Sequence, residues 1–434
     1  MEILSQGEKI KRIRKNFKIR QQDITGGEIT RELISIIENN KTNLTPNVAQ
    51  IIADNINRIC KERDIDFSVE ASYLLEDIKE QSNKIADNYI EFLVKNENSF
   101  SESLVKEMDE IEVFCMKYGE PEKNLALYEK IGEIYGRQKD YDKSYMYYVK
   151  ALENATRVED SKELAIILEK IGDLCLTLMK YEEAIHFNNL ALKYGGALNR
   201  ELKYKLIFNN ILANINLKKY NKALEEIEEI LSAFPKLTYE ELFEIHRFKA
   251  NCLKEMKLFN DSFKLSKAIL DEFINNNVVR KILILTDILD ICIILKDYKN
   301  IKTYLKKLNN ELSNGTNTDN DCCIVNAHLQ VGIASTLLQD IEQAKVHFEK
   351  VISMCKSGKS LELLGKALGE YLNALVLEKN LESINDFKNN ILELLSLKII
   401  DHNDVNIIKL IQFYNSIEDR ESIDNMLLFI LENK

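Results

Sequence analysis

Residues 128–151 read YEKIGEIYGRQKDYDKSYMYYVKA, and the reading of this stretch decides the fold. Tyr128, Ile131, Gly132 and Tyr135 recur at helical spacing, the segment RQKDYDKS from residue 137 breaks the pattern, and Ser144, Tyr148 and Ala151 resume it. The stretch predicts two antiparallel helices, with a small residue where they cross and a large ring filling the space beside it. The scheme returns at Leu168, Ile171, Gly172, Cys175, Ala184 and Ala191, and again at Gly332, Ala344 and Phe348. Similar turn segments begin at 177, 216, 254, 294, 337, 377 and 415. Aligning the position just inside each second helix gives Ser144, Ala184, Ala223, Ser262, Ile301, Ala344, Ile384 and Ser422, at steps of 40, 39, 39, 39, 43, 40 and 38. So regular a period predicts a solenoid of stacked helix pairs. Residues 82–117 add one more pair in front, for about nine in all.

The rest of the composition agrees. In 434 residues there are 3 Pro and 14 Gly, too few to punctuate sheets and hairpins, while 45% of the chain is hydrophobic. An all-α fold is expected. No apolar run reaches 18 residues and the beginning MEILSQGEKIKR has no signal-peptide core, so the reading is cytoplasmic, with no membrane partner. The eight cysteines are scattered without a CxxC and read as core residues of a reducing compartment, although Cys322 and Cys323 follow the polar stretch SNGTNTDND. The five histidines form no HxxxH or HExxH pair, and there is no phosphate-binding glycine loop or nucleophile elbow. Neither an enzyme, a metal site nor a cofactor is expected.

Charge divides the chain. Residues 9–20, KIKRIRKNFKIR, hold seven Lys or Arg and no acid; residues 1–63 carry 12 basic and 8 acidic side chains, leaving 47 against 62 for the remainder. A basic head on an acidic body predicts two kinds of partner, a polyanion for the head. The head breaks into short helices: GEKIKRIRKNF, then IRQQDIT ended by Gly26 and Gly27, then ITRELISIIENNK, then a fourth capped by Thr45 with Pro46 at its first position.

Ile19, Gln21, Ile24, Thr25, Ile29, Thr30, Ile34, Ser35, Ile37, Glu38 and Lys41 fall at the marked places of the lambda-repressor-like (Cro/C1, or XRE) domain, which the head resembles. Asn40 stands where that family has a glycine, and Asn also tolerates a left-handed backbone; Gly26–Gly27 lengthens the turn. The resemblance implies a third helix in the major groove, with Thr30, Arg31, Glu32 and Ile36 at base edges, and Lys9, Arg12, Arg14, Gln21, Asn39 and Lys41 at phosphates. One such head reads a half-site, so a homodimer is implied.

The body resembles tetratricopeptide (TPR) repeats, with a period about five residues longer than the common 34, for which longer helices are the simplest account. That resemblance implies a right-handed superhelix whose first helices line a groove for a peptide. Asp173, Asn210, Asn214, Arg247, Asn251, Asp290 and Asn373 are the candidate groove residues: amides to pair with a peptide backbone and Arg247 for a carboxylate. The expected division is a helix-turn-helix domain at 1–63, a linker at 64–81 and repeats at 82–434. The combination resembles the RRNPP-type quorum-sensing regulators. It implies a transcriptional regulator that binds double-stranded DNA and is switched by a short signalling peptide. The alternative is an adaptor whose solenoid grips a partner protein such as a response regulator.

Overall fold

The structure is a computed structural model describing residues 2–158, 160–194, 196, 198–273, 277–313, 322–356 and 361–432. Among these residues it is entirely helical. The chain folds into two compact units, Met1–Lys218 and Lys219–Lys434.

The first unit begins with α1 (Gln6–Asn16), a single 3-10 turn at Gln21–Ile24, α2 (Arg31–Glu38), α3 (Pro46–Glu62) and α4 (Ala71–Leu75). It continues with α5 (Ile78–Asn96), α6 (Glu102–Tyr118), α7 (Pro121–Arg137), α8 (Tyr141–Val158), α9 (Ser161–Thr177), α10 (Tyr181–Tyr194) and α11 (Arg200–Asn216). The second unit holds α12 (Tyr220–Ala233), α13 (Tyr239–Glu255), α14 (Phe259–Glu272), α15 (Val278–Leu295), α16 (Tyr298–Ser313), α17 (Cys322–Leu337), α18 (Ile341–Cys355), α19 (Leu361–Glu378), α20 (Leu381–Ser396), α21 (Val405–Ser416) and α22 (Arg420–Glu432).

From α5 onward the helices form TPR-like pairs in the register read from the sequence. From the α7–α8 pair onward the residue at the turn inside a pair takes a left-handed backbone: Lys139, Met179, Lys218, Lys257, Lys296, Gln339, Lys379 and Glu418, with φ between 53° and 65°. The next residue commonly bonds back over the helix end, as Asp140 N does to Tyr135 O (3.1 Å) and Lys180 N to Cys175 O (2.8 Å), closing the last turn and satisfying its carbonyls. Long helices account for the long period: α9 has 17 residues and α10 has 14.

The small-residue-and-ring scheme is literal at two crossings. A Cβ on Gly132 would lie 2.9 Å from Tyr148 Cδ1, and one on Gly332 would lie 2.7 Å from Phe348 Cε1. At Gly172 the occupant is an amide instead: Asn188, fully buried, stands 2.2 Å from where the Cβ would be. Six of the cysteines are buried, as their reading as core residues requires; Cys322 is exposed, Cys323 is half-buried, and residues 314–321 before them lie outside the described ones.

The head has its own core of Ile10, Ile13, Ile19, Ile24, Ile34, Ile37, Leu44, Ile52 and Ile56. Two features differ from the sequence reading. The expected second helix is only the 3-10 turn at Gln21–Ile24. The segment expected to be a linker instead completes the head: Val69 (6% exposed) and Leu74 (0%) are in its core, with Ile65, Phe67 and Leu75 packed against it. The packed head therefore runs past residue 63 to about α4, and α5 follows almost at once, opened by an Asp77–Glu80 capping box.

Candidate functional site

In the head, Thr30 caps α2, its hydroxyl accepting from Leu33 N at 3.2 Å. The cap points the first turn of α2 outward, so Arg31 and Glu32 are exposed, as is Ile36 at 42%. Ile34, Ile37 and Glu38 on the opposite face are buried. Asn40 ends the helix with φ 56°, the left-handed conformation foreseen for it, and Gly26 and Gly27 have φ 61° and 79° in the turn before. The candidate base-reading residues thus share one solvent-facing surface that carries an unburied β-branched side chain.

The candidate phosphate contacts do not stay together. Lys9 is 1% exposed and turned inward: its Nζ donates to Tyr73 O (2.6 Å) and Glu76 O (3.1 Å), and lies 4.4 Å from the Tyr73 ring centroid. Burial lowers the pKa of this ammonium, partly offset by Glu76. Arg14 is also internal. Its Nε donates to Glu38 Oε1 at 2.7 Å, a second guanidinium nitrogen to Glu38 Oε2 at 2.9 Å, and the third to Ile19 O at 3.1 Å. Gln21 Nε2 donates to the same Glu38 Oε2 at 2.8 Å. Burial opposes ionisation of Glu38, but the bonds from Arg14 and Gln21 outweigh it and hold the carboxyl below its ordinary pKa. Lys9, Arg14 and Gln21 are therefore fixed inside the head, because their polar ends satisfy buried groups there. Asn39 and Lys41 are exposed, as is Arg12, which pairs with Glu2.

In the repeats of the first unit, an ion-pair ladder joins the first helices of successive pairs. Glu97, at the end of α5, meets Lys130 of α7 at 3.1 Å, and Lys130 meets Glu133 at 2.8 Å. Lys170 of α9 reaches back to Glu129 at 2.6 Å and also pairs with Glu133. Lys205 of α11 contacts Asp173 at 2.6 Å and also pairs with Glu169. Burial disfavours the charge on Lys170, yet its two glutamates leave its pKa raised. Glu169, 6% exposed and beside Asp173, is pushed upward by burial first and that like charge second. Sequence reasoning found Asp173 in this ladder and missed Glu129, Lys130, Glu133, Glu169, Lys170 and Lys205. The signal was present: Glu-Lys at 129–130 and at 169–170 stand one period of 40 apart, as do Glu133 and Asp173.

Two of the candidate groove amides belong to the core. Asn210 and Asn214 are each 3% exposed. Asn210 accepts from the buried Asn188 (3.0 Å) and donates to Asn189 (2.9 Å), so it ties α10 to α11 instead of facing outward. In the second unit Asp290 pairs with Lys254 at 2.9 Å, Asn251 is half-buried, and Asn373 is exposed beside Glu370. Arg247 differs from all of these. Its guanidinium stands 3.5 Å from Glu244 and 3.6 Å from Asp287, at the edge of hydrogen-bonding range, and its Nε is buried without an acceptor. Burial raises the Asp287 carboxyl, against the pull of Arg247 and Lys254.

The second unit also holds a feature the sequence reading missed. His328 and His347 are 7% and 9% exposed, with their Nδ1 atoms 2.8 Å apart, so one ring donates to the other. Both are lowered to about 4, by burial first; the Lys350 charge adds to it for His328, and His328 and then Lys350 add to it for His347. Their folded values lie below the unfolded one of about 6.5, so the unfolded chain takes up protons first as pH falls. Stability of this unit should be fully present above about pH 6.5 and fall by about 2 kcal/mol for each histidine, about 4 for the pair, between about pH 7 and pH 5. Urea melts at the two pH values, compared with His328→Phe/His347→Leu, check this: the double variant should lose much of that pH dependence.

Among the described residues no cluster of three or more His, Cys, Asp or Glu is placed to hold a metal, and no helix is long and apolar enough to cross a membrane.

A tetratricopeptide-repeat family model matches residues 124–194, which spans the pairs α7–α8 and α9–α10. No curated protein sequence matches the chain. Among solved structures, the apo form of RapI aligns with 14% identity over 80% of this chain and 97% of that one, at TM-score 0.48. A tetratricopeptide repeat protein from Parabacteroides merdae aligns with 19% identity over 65% of this chain and 99% of its own, at TM-score 0.46. The apo form of the quorum sensor NprR from B. thuringiensis aligns with 14% identity over 97% of this chain and 99% of that one, at TM-score 0.43.

Proposed function

We propose that the chain is a DNA-binding regulator whose repeat groove takes a short peptide. The observation that carries the reading is the outer face of α2. A capped helix presents Arg31, Glu32 and the half-exposed Ile36 to solvent while its opposite face is packed into a small core. Arg31 suits the acceptors of guanine, Glu32 the amine of cytosine, and Ile36 a thymine methyl. For the groove, Arg247 supports a ligand with a carboxylate, since its side chain is partly exposed and its ion pairs with Glu244 and Asp287 are long. The two-fold partner implied by half-site reading belongs to the same proposal.

The test is selection of duplexes from a random pool by the full-length chain, followed by Arg31→Ala. The variant should keep its helicity and melting temperature and lose roughly 10- to 100-fold in affinity for the selected site, the worth of one bidentate base contact. An unchanged preference at every base position would remove the reading. A synthetic peptide encoded beside the gene should change that affinity in the native chain, and Arg247→Ala should blunt the response.

A further inference from the structure

The N-terminal strap is divided between the head and the repeats. Ile3 packs against the hydrophobic core of the first repeats. Leu4 pairs with Gln81 of α5 through its backbone in both directions: Leu4 N donates to Gln81 Oε1 (3.3 Å) and Gln81 Nε2 donates to Leu4 O (2.8 Å). Ser5 then caps α1, with Glu8 completing a capping box. Three consecutive residues thus belong in turn to the repeat core, to the side of α5 and to the first helix of the head.

The opposite side of the junction is fastened as tightly. Gln6 Nε2 donates to Leu75 O at 2.5 Å, and the buried Lys9 ammonium donates to Tyr73 O and Glu76 O. Glu76 is held in addition by Lys84 of α5. The carbonyls at the end of α4, which a free helix end would leave to water, are thereby taken up by side chains of α1. A flexible tether has none of these traits: it is polar, solvated and without buried partners.

We propose that residues 2–9 and 73–84 form a clamp that mounts the head rigidly on α5, so that α2 and the first repeats move as one body. A displacement of α5 then swings the reading face of α2 with it, and no separate hinge stands between groove and head. The regulatory meaning of the clamp rests on the DNA-binding reading above, but the clamp itself does not.

Electron–electron distance measurement on the full chain tests it without DNA or peptide. Spin labels go at Gln50→Cys on α3 and Glu91→Cys on α5, both exposed, in a Cys322→Ser/Cys323→Ser background. The unaltered clamp should give one narrow distance distribution. Ile3→Ser/Gln81→Ala, which touches no core residue of the head, should at least roughly double its width, as expected once a fixed junction becomes a mobile one. Circular dichroism should show helicity retained. A broad or multiple distribution with the clamp intact, or an unchanged width in the folded variant, would overturn the proposal. Failure of site-specific DNA binding would leave this result standing and remove only the regulatory reading.

Discussion

Replacing Glu38 by Ala is expected to unfold the head while the repeats stay folded. Glu38 has a side chain 2% exposed and is the common acceptor for Arg14 and Gln21. Removing it leaves a guanidinium that is 16% exposed with two of its donors unpaired in the middle of a small core. Breaking a buried pair from one side costs about 3–5 kcal/mol, against a total of only about 5 for a domain this small. Glu38→Gln keeps one acceptor and should cost less. Hydrogen exchange resolved by peptide reads the outcome: α1 through α3 should lose protection in Glu38→Ala, and α7 through α10 should not. Protection of the head within about 1 kcal/mol of the native chain would show that the network is not what holds it.

Gly7→Ala is the second large effect, and its reason is backbone geometry. A Cβ at Gly7 would lie 2.0 Å from Ile37 O and 2.9 Å from its carbonyl carbon. Neither atom can rotate aside, so α1 must lift off the end of α2. An overpacked contact costs about 1–3 kcal/mol where side chains can repack; at this one the upper end or beyond is expected. Gly132→Ala is the control, because there the obstacle is the Tyr148 ring, which can tilt. Since Gly7 and Glu38 both fix α1 against α2, their losses should not add. A Gly7→Ala chain melting like the native one would mean that the two helices separate at little cost.

The repeats were legible because their determinants are local and recur. A ring opposite a glycine at 132/148 and 332/348, and a turn at a fixed distance before Ser144 or Ala184, are visible in a single line of sequence. The left-handed Asn40 and the start of α3 at Pro46 were equally readable, since each depends on its immediate neighbours. What misled was the assumption that polar means outward. Lys9 precedes Ile10 and stands four residues before Ile13, on a face that something must cover, but the covering residues were assigned to a linker. Asn210 and Asn214 lie in the stripe Leu206, Ile207, Asn210, Ile211, Asn214, which is a core stripe by spacing; for Asn210, it is Asn188 and Asn189 in the neighbouring helix that make an amide welcome there. The ion-pair ladder and the His328–His347 contact depend on which helices become neighbours, and the clamp depends on where residues 3–5 are laid down. None of these follows from spacing within one element.

The eight left-handed turns are occupied by Lys, Met, Gln and Glu, and never by glycine. Each therefore holds a Cβ in a conformation that disfavours it by about 1 kcal/mol. A glycine at any one of them would remove that penalty, at the cost of a more flexible unfolded chain.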